Sequence, residues 1–247
     1  ITACRKEAAG YPIYVRELSG SLLYRSPTIV TEFFMRTRVK ICGITRVEDA
    51  QAVTQAGADA IGLVFYAKSP RNVEIDQAAE ISQSVPPFIT RVALFKDADV
   101  AFIEAVLRSV EIDLLQFHGS ESPSFCERFG LPYIKAIGMK GPECDAAYLA
   151  ARTEAFSSAK AMLLDGHAPG EDGGSGEAFD WSGIGKIDKP VILAGGITPD
   201  NVAQAIEIAH PFAVDVSSGV ESAPGQKDRE KVIRFMTQVA MADDRRG

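Results

Sequence analysis

From Arg38 onward, short apolar runs of strand length alternate with amphipathic stretches. The runs are Val39–Cys42, Ala60–Phe65, Arg91–Phe95, Asp113–His118, Tyr133–Gly138, Ala161–Asp165, Val191–Gly195 and Ala213–Ser217. Most are near-continuous Val, Ile, Leu, Phe and Ala, the pattern of strands buried on both faces of a parallel sheet. Between them, Val100, Ile103, Leu107 and Val110 recur on one helical face, as do Val202, Ala205, Ile206 and Ala209. Helix starts are predicted at the capping box Thr45-Arg46-Val47-Glu48 and at Ser122-Pro123 and Thr198-Pro199, where a capping hydroxyl precedes proline. Asp97 is the predicted cap of the third helix. A doubly wound sheet accepts this alternation, usually with fewer strands. Eight strands, each followed by a helical or helix-sized segment, fit an α/β fold of the (β/α)8 TIM-barrel type better.

Residues 1–34 break the pattern. They hold Gly10-Tyr11-Pro12 and Ser26-Pro27 and show no sustained period. Arg16 and Glu17 interrupt any signal-peptide core, and Glu7, Glu17 and Glu32 weaken a transit-peptide reading. Met35 stands directly before a strand-like segment, so 1–34 is read as an N-terminal extension outside the fold, translated from in front of the true start, and 35–247 as the barrel domain.

Composition narrows the function. Charged residues are 24% of the chain and the formal charge is −7, which disfavours a general nucleic-acid or membrane-surface partner. A local nest of backbone N–H groups still accommodates a phosphate. Cys4, Cys42, Cys126 and Cys144 form no CxxC pair and match no zinc spacing, so a reduced, cytoplasmic protein without a bound metal is expected. No apolar run reaches the roughly 18 residues of a spanning helix.

In a barrel, chemistry gathers at the C-terminal ends of the strands and in the loops after them. The seventh run leads into Gly195-Gly196 and the eighth into Ser217-Ser218-Gly219, the paired loops that cradle phosphate in this fold. Either alone is also an ordinary tight turn. Cys42 ends the first run, three residues before Thr45. It is either a buried hydrophobe or a thiolate whose pKa is lowered by the helix start and which acts as a base. Asp165 ends the sixth run, where partial burial is expected to raise its pKa toward general-acid work; a structural bond to loop backbone is the alternative. The loop His167–Phe179, with Gly173-Gly174-Ser175-Gly176, reads as a mobile cover or a plain surface loop. Arg71 follows the second run and suits a carboxylate clamp. Gln116, His118, Lys135 and Asp215 are expected to make hydrogen bonds in the barrel interior or at its rim.

Taken together, these segments resemble the phosphoribosylanthranilate isomerase family from Arg38 to the last helix. The likeness rests on Lys-Ile-Cys-Gly-Ile-Thr at 40–45, Gly-Ala-Asp-Ala-Ile-Gly-Leu-Val-Phe-Tyr at 57–66, Ser-Pro-Arg at 69–71 and Leu-Gln-Phe-His-Gly at 115–119. Gly-Gly-Ser-Gly at 173–176 with Phe179-Asp180-Trp181, and Phe-Ala-Val-Asp-Val-Ser-Ser-Gly-Val-Glu at 212–221, complete it. Residues 1–34 match nothing in that pattern.

The resemblance implies a phosphate-binding barrel acting on a small-molecule substrate, phosphoribosylanthranilate, as a monomer or homodimer without cofactor. It casts Asp165 as the general acid, Cys42 as the general base, Arg71 as the holder of the anthranilate carboxylate, and Gly195, Gly196, Ser217, Ser218 and Gly219 as the phosphate cradle. A histidine-pathway aminoaldose isomerase, implied to use two aspartates, is disfavoured by Cys42. A non-catalytic phosphate-binding protein would show ligand binding without turnover.

Overall fold

In a computed structural model, the described residues are 36–141, 144–167, 179–185 and 187–246, with the backbone of 6–8 and 11–13. The chain divides into two compact units, Ile1–Phe33 and Phe34–Gly247. In the first, Lys6–Ala8 pairs antiparallel with Tyr11–Ile13, a ribbon that the lack of sequence period does not announce.

The second unit is a closed barrel of eight parallel strands. These are β1 (Arg38–Cys42), β2 (Ala60–Phe65), β3 (Thr90–Phe95), β4 (Leu114–Phe117), β5 (Tyr133–Gly138), β6 (Ala161–Asp165), β7 (Val191–Leu193) and β8 (Ala213–Val216). Pairing of Val214 with Val39 and of Val216 with Ile41 closes β8 onto β1. Six of the eight predicted runs contain their strand, and Val39–Cys42 and Arg91–Phe95 each begin one residue late.

Seven helices clothe the described barrel: α1 (Val47–Gln55), α2 (Ile75–Gln83), α3 (Val100–Ser109), α4 (Pro123–Cys126), α5 (Ala146–Ala155), α6 (Val202–Ala209) and α7 (Arg229–Asp244). Among the described residues β6 is followed by a 3-10 turn, Trp181–Gly183, rather than an α-helix. None of these helices is long and apolar enough to cross a membrane.

Three predicted caps differ. Arg46, not Thr45, precedes α1, and the Thr45 hydroxyl instead bonds the Gly225 carbonyl. Asn201 precedes α6, while Thr198 and Pro199 form the turn before it. Asp97 has a left-handed φ of 50° and accepts from Ser120 N, leaving Asp99 before α3. Ser122 does cap α4, accepting from Phe125 N. The Thr45 and Asp97 side chains find tertiary partners that compete with the local cap, whereas the Thr198 hydroxyl accepts from Asp200 N within its own turn.

Strand parity sorts the core. Val39, Ile41, Ile61, Leu63, Phe65, Met162, Leu164, Val214 and Val216 point outward into the layer shared with the helices. The alternate positions face the barrel axis. At one end these are Ile134, Ala136, Ala161, Leu163, Ile192, Ala194 and Ala213. At the other lie Cys42, Val64 and Leu94. Parity therefore delivers Lys40, Cys42, Gln116, Asp165 and Asp215 to the interior, toward its C-terminal mouth.

Candidate active site

The mouth opens into a cavity of about 180 Å³ whose walls include Cys42, Arg71, Asp165, Gly195 and Gly196, with Ser217 and Ser218. Seven of the eight expected site residues thus meet in one place. Gly219 stands behind the wall: a Cβ there would lie 2.1 Å from the Ile197 carbonyl oxygen. It locks the loop after β8 onto the loop after β7. Gly195 and Gly196 both have left-handed φ, 74° and 65°, which a residue with a Cβ adopts at a cost. The predicted helix after β8 is a single 3-10 turn, Ser218–Val220. The expected cover, His167–Phe179, lies outside the described residues between 168 and 178.

Cys42 is buried at the end of β1, with Ser217 Oγ donating to its carbonyl at 3.0 Å. Beneath it runs a buried ion pair, Lys40 Nζ to Asp215 at 3.0 and 3.1 Å. The expected lowering of the thiol pKa is reversed. Burial pushes Cys42 up, the neighbouring Lys40 ammonium only partly offsets this, and Asp215 adds to the rise. The helix that was to stabilise a thiolate starts later, with Arg46 between.

Asp165, three strands from β1 around the ring, faces two imidazoles. His118 Nε2 lies 3.4 Å from Oδ2 and His167 Nδ1 3.3 Å from Oδ1. Here too the expected direction is reversed. Burial alone would raise the carboxyl, but attraction to His118 and His167 outweighs it and holds Asp165 below the ordinary carboxylate range.

Arg71 is clamped before any ligand arrives. Its Nε and Nη2 donate to Glu221 Oε1 and Oε2, both at 2.8 Å, and among the described residues Nη1 has no hydrogen-bond partner. Gly43, with φ 73°, lets Arg71 pass: a Cβ there would meet Arg71 Cδ at 2.5 Å. Lys227 Nζ, itself buried, reaches Glu221 at 2.7 Å and the Ser217 carbonyl at 3.2 Å. Burial lowers the Lys227 pKa, while Arg71 and Lys227 hold Glu221 below its usual value despite its burial.

Lys40, His167, Glu221 and Lys227 were not singled out in the sequence; the available signal was charge at inward strand parity and immediately after strand ends. Of the expected rim groups, Lys135 is a buried structural cation bonded to the Phe117 and Gly119 carbonyls and Glu121. Asp215 pairs with Lys40, and Gln116 bonds His118 at 3.1 Å. Gln116, His118 and Asp215 also line the cavity.

A closed eight-fold parallel barrel whose C-terminal mouth gathers glycines, serines, a buried thiol and a carboxyl on one cavity has the architecture of a TIM-barrel enzyme. A sequence profile of the N-(5'-phosphoribosyl)anthranilate (PRA) isomerase family matches residues 39–238. The chain is 53% identical over 205 residues to N-(5'-phosphoribosyl)anthranilate isomerase of Thiobacillus denitrificans, spanning 83% of this chain and 98% of that one. The crystal structure of phosphoribosyl anthranilate isomerase from Thermotoga maritima superposes with a TM-score of 0.73 at 37% identity, covering 83% of this chain and 99% of that one. A phosphoribosyl anthranilate isomerase in complex with reduced 1-(o-carboxyphenylamino)-1-deoxyribulose 5-phosphate gives 0.70 at 35%, with the same coverage. The chain belongs to the phosphoribosylanthranilate isomerase family.

Proposed function

We propose that the chain catalyses the Amadori rearrangement of N-(5-phosphoribosyl)anthranilate to 1-(2-carboxyphenylamino)-1-deoxyribulose 5-phosphate, a step of L-tryptophan biosynthesis, without metal or organic cofactor. The observation carrying this reading is that Cys42 and Asp165, 123 positions apart in the chain, open on the same cavity as the two phosphate loops. With the phosphate tethered between Gly195-Gly196 and Ser217-Ser218-Gly219, both groups address one sugar, and remote binding energy goes into orientation. Asp165 protonates the ribose ring oxygen as the C1′–O bond breaks, and the anilino nitrogen lone pair completes a Schiff base. Cys42 then removes the C2′ proton, giving an enolamine that tautomerises to the ketone. Arg71, held by Glu221, turns Nη1 to the anthranilate carboxylate.

The resting electrostatics run against both roles, with the thiol favoured neutral and the carboxyl ionised. The productive arrangement, thiolate with carboxylic acid, carries the same total number of protons and exists as a minority protonation state of the two groups. The substrate anion and the imidazoles beside Asp165 are the levers that shift it.

Loss of phosphoribosylanthranilate fluorescence measures turnover. Wild type is expected to turn over, and Cys42→Ala and Asp165→Asn to fold normally and lose most of it. Near-wild-type kcat in Cys42→Ala refutes the base assignment; full activity in both refutes the site. Residues 35–247 are the working unit in this proposal, cytoplasmic, monomeric or homodimeric, with no nucleic-acid or membrane partner. Deletion of 1–34 should leave kcat unchanged, and sedimentation equilibrium decides the assembly.

A further inference from the structure

We propose that His118, Asp165 and His167 form a three-ligand site for a divalent transition metal of the zinc class, and that an ion there inhibits the enzyme. One donor atom from each residue can be chosen so that all lie within 4.8 Å of one another. Around zinc, with bonds of about 2.0–2.1 Å, neighbouring tetrahedral ligand atoms stand about 3.3–3.4 Å apart. The contact of Asp165 Oδ1 with His167 and that of Oδ2 with His118, 3.3 and 3.4 Å, each have the length of one coordination edge, with the two rings meeting different oxygens of the carboxylate. The two rings are stacked, centroids 5.0 Å apart and 26° from parallel, and each turns one nitrogen toward the carboxylate.

Two further observations point to a ligand. Among the described residues, His118 Nε2 and His167 Nδ1 are buried and complete no hydrogen bond, a costly condition for polar atoms that a metal would relieve. His118 also has an outer partner of the kind that orients metal-bound imidazoles. Its Nδ1 faces the Gln116 amide at 3.1 Å, and the Gln116 Oε1 is itself buried with no partner among the described residues. Turning that amide end for end lets Oε1 accept Nδ1–H and leaves the Nε2 lone pair for the metal. His167 and Asp165 are only 5% and 7% exposed, whereas His118 and Asp165 line the cavity, so the fourth position opens toward substrate. Two imidazoles and one carboxylate favour zinc, cobalt or nickel over magnesium or calcium.

An ion held there occupies the oxygen lone pairs that Asp165 needs to carry a proton, so metal and acid catalysis exclude each other. Only this inhibitory clause rests on the proposed function; the binding site does not.

The test is a titration of Co2+ into the metal-free full chain, followed by visible absorption. Expected are saturable one-to-one binding, d–d bands of nitrogen and oxygen ligation, and no thiolate charge-transfer band. His167→Ala and His118→Asn, shown folded by thermal melts, should each weaken binding by about tenfold or more, whereas Cys42→Ser leaves it unchanged. Zn2+ should abolish turnover, and a chelator should restore it. Absence of saturable binding, a thiolate band, or full affinity in both histidine variants overturns the site. Saturable binding with undiminished turnover overturns the inhibition.

Discussion

Gly62 offers the most direct perturbation of the thiol. It lies opposite Cys42 in the β1–β2 ladder, its φ is outside the left-handed region, and the space it leaves is filled from the other strand. An added Cβ would stand 2.7 Å from Cys42 Sγ, 3.0 Å from Cys42 Cα and 3.0 Å from Lys40 Nζ. Ordinary contact lies at about 3.5–4.0 Å, so in Gly62→Ala the thiol must retreat by roughly 1 Å and the two strands must part slightly. Overpacking of this kind costs about 1–3 kcal/mol. For a barrel of this size each kcal/mol is worth about 2–4 °C, so Tm should fall by about 2–12 °C and the fold should survive. A displacement of about 1 Å at a reacting group costs about 10²-fold in rate. The expected result is therefore a kcat lowered by about two orders of magnitude, with KM nearly unchanged because the loops after β7 and β8 are untouched. Fluorescence turnover under saturating substrate measures kcat, and circular dichroism melts measure stability. Ala161→Val, packed at the opposite end of the barrel interior, is the matched control and should lose comparable stability while keeping kcat. A folded Gly62→Ala with kcat within a factor of two of wild type would refute the claim that the Cys42 sulfur position governs the chemistry.

The pH profile follows from the two directions. Asp165 is held below the ordinary carboxylate value of about 3.9 and Cys42 above the thiol value of about 8.5. In metal-free buffer kcat should form a broad plateau, falling only in strong acid, as Asp165 and Cys42 together gain a second proton, and in strong base, as they lose their last. A narrow bell centred near neutrality contradicts this. In Gly219→Ala the new Cβ meets the Ile197 carbonyl, so the loops after β7 and β8 must separate. KM should rise at least tenfold with a smaller change in kcat, read from steady-state kinetics. Arg71→Lys cannot reproduce the two-pronged bond to Glu221, and KM should rise severalfold; an unchanged KM removes Arg71 from the substrate clamp. Lys40→Met strands the buried Asp215 carboxylate and should cost about 3–5 kcal/mol in urea unfolding, most of it recovered in Lys40→Met/Asp215→Leu. Failure of the double variant to recover would show that the pair is not the source of the loss.

Strand positions were legible because both faces of each run are apolar, and parity then follows from any one inward residue. Helix starts were less legible: Thr45 and Asp97 have the right chemistry for caps, but tertiary partners at Gly225 and Ser120 take their side chains. The site shows the same division. Which residues reach the mouth is a local property, set by position at a strand end, and seven of the eight predicted residues line one cavity. How those residues are charged is not local. The field at Cys42 comes from its own burial, from Lys40 two residues back and from Asp215 on the far side of the ring closure. The field at Asp165 comes from His118, two strands away, and from His167, whose side chain the sequence places only in a loop. Each pKa is a difference between burial and attraction of similar size, so its sign turns on contacts of about 3 Å that no spacing rule fixes. Fold and membership of the site can therefore be read from periodicity, while the protonation that decides acid from base requires coordinates.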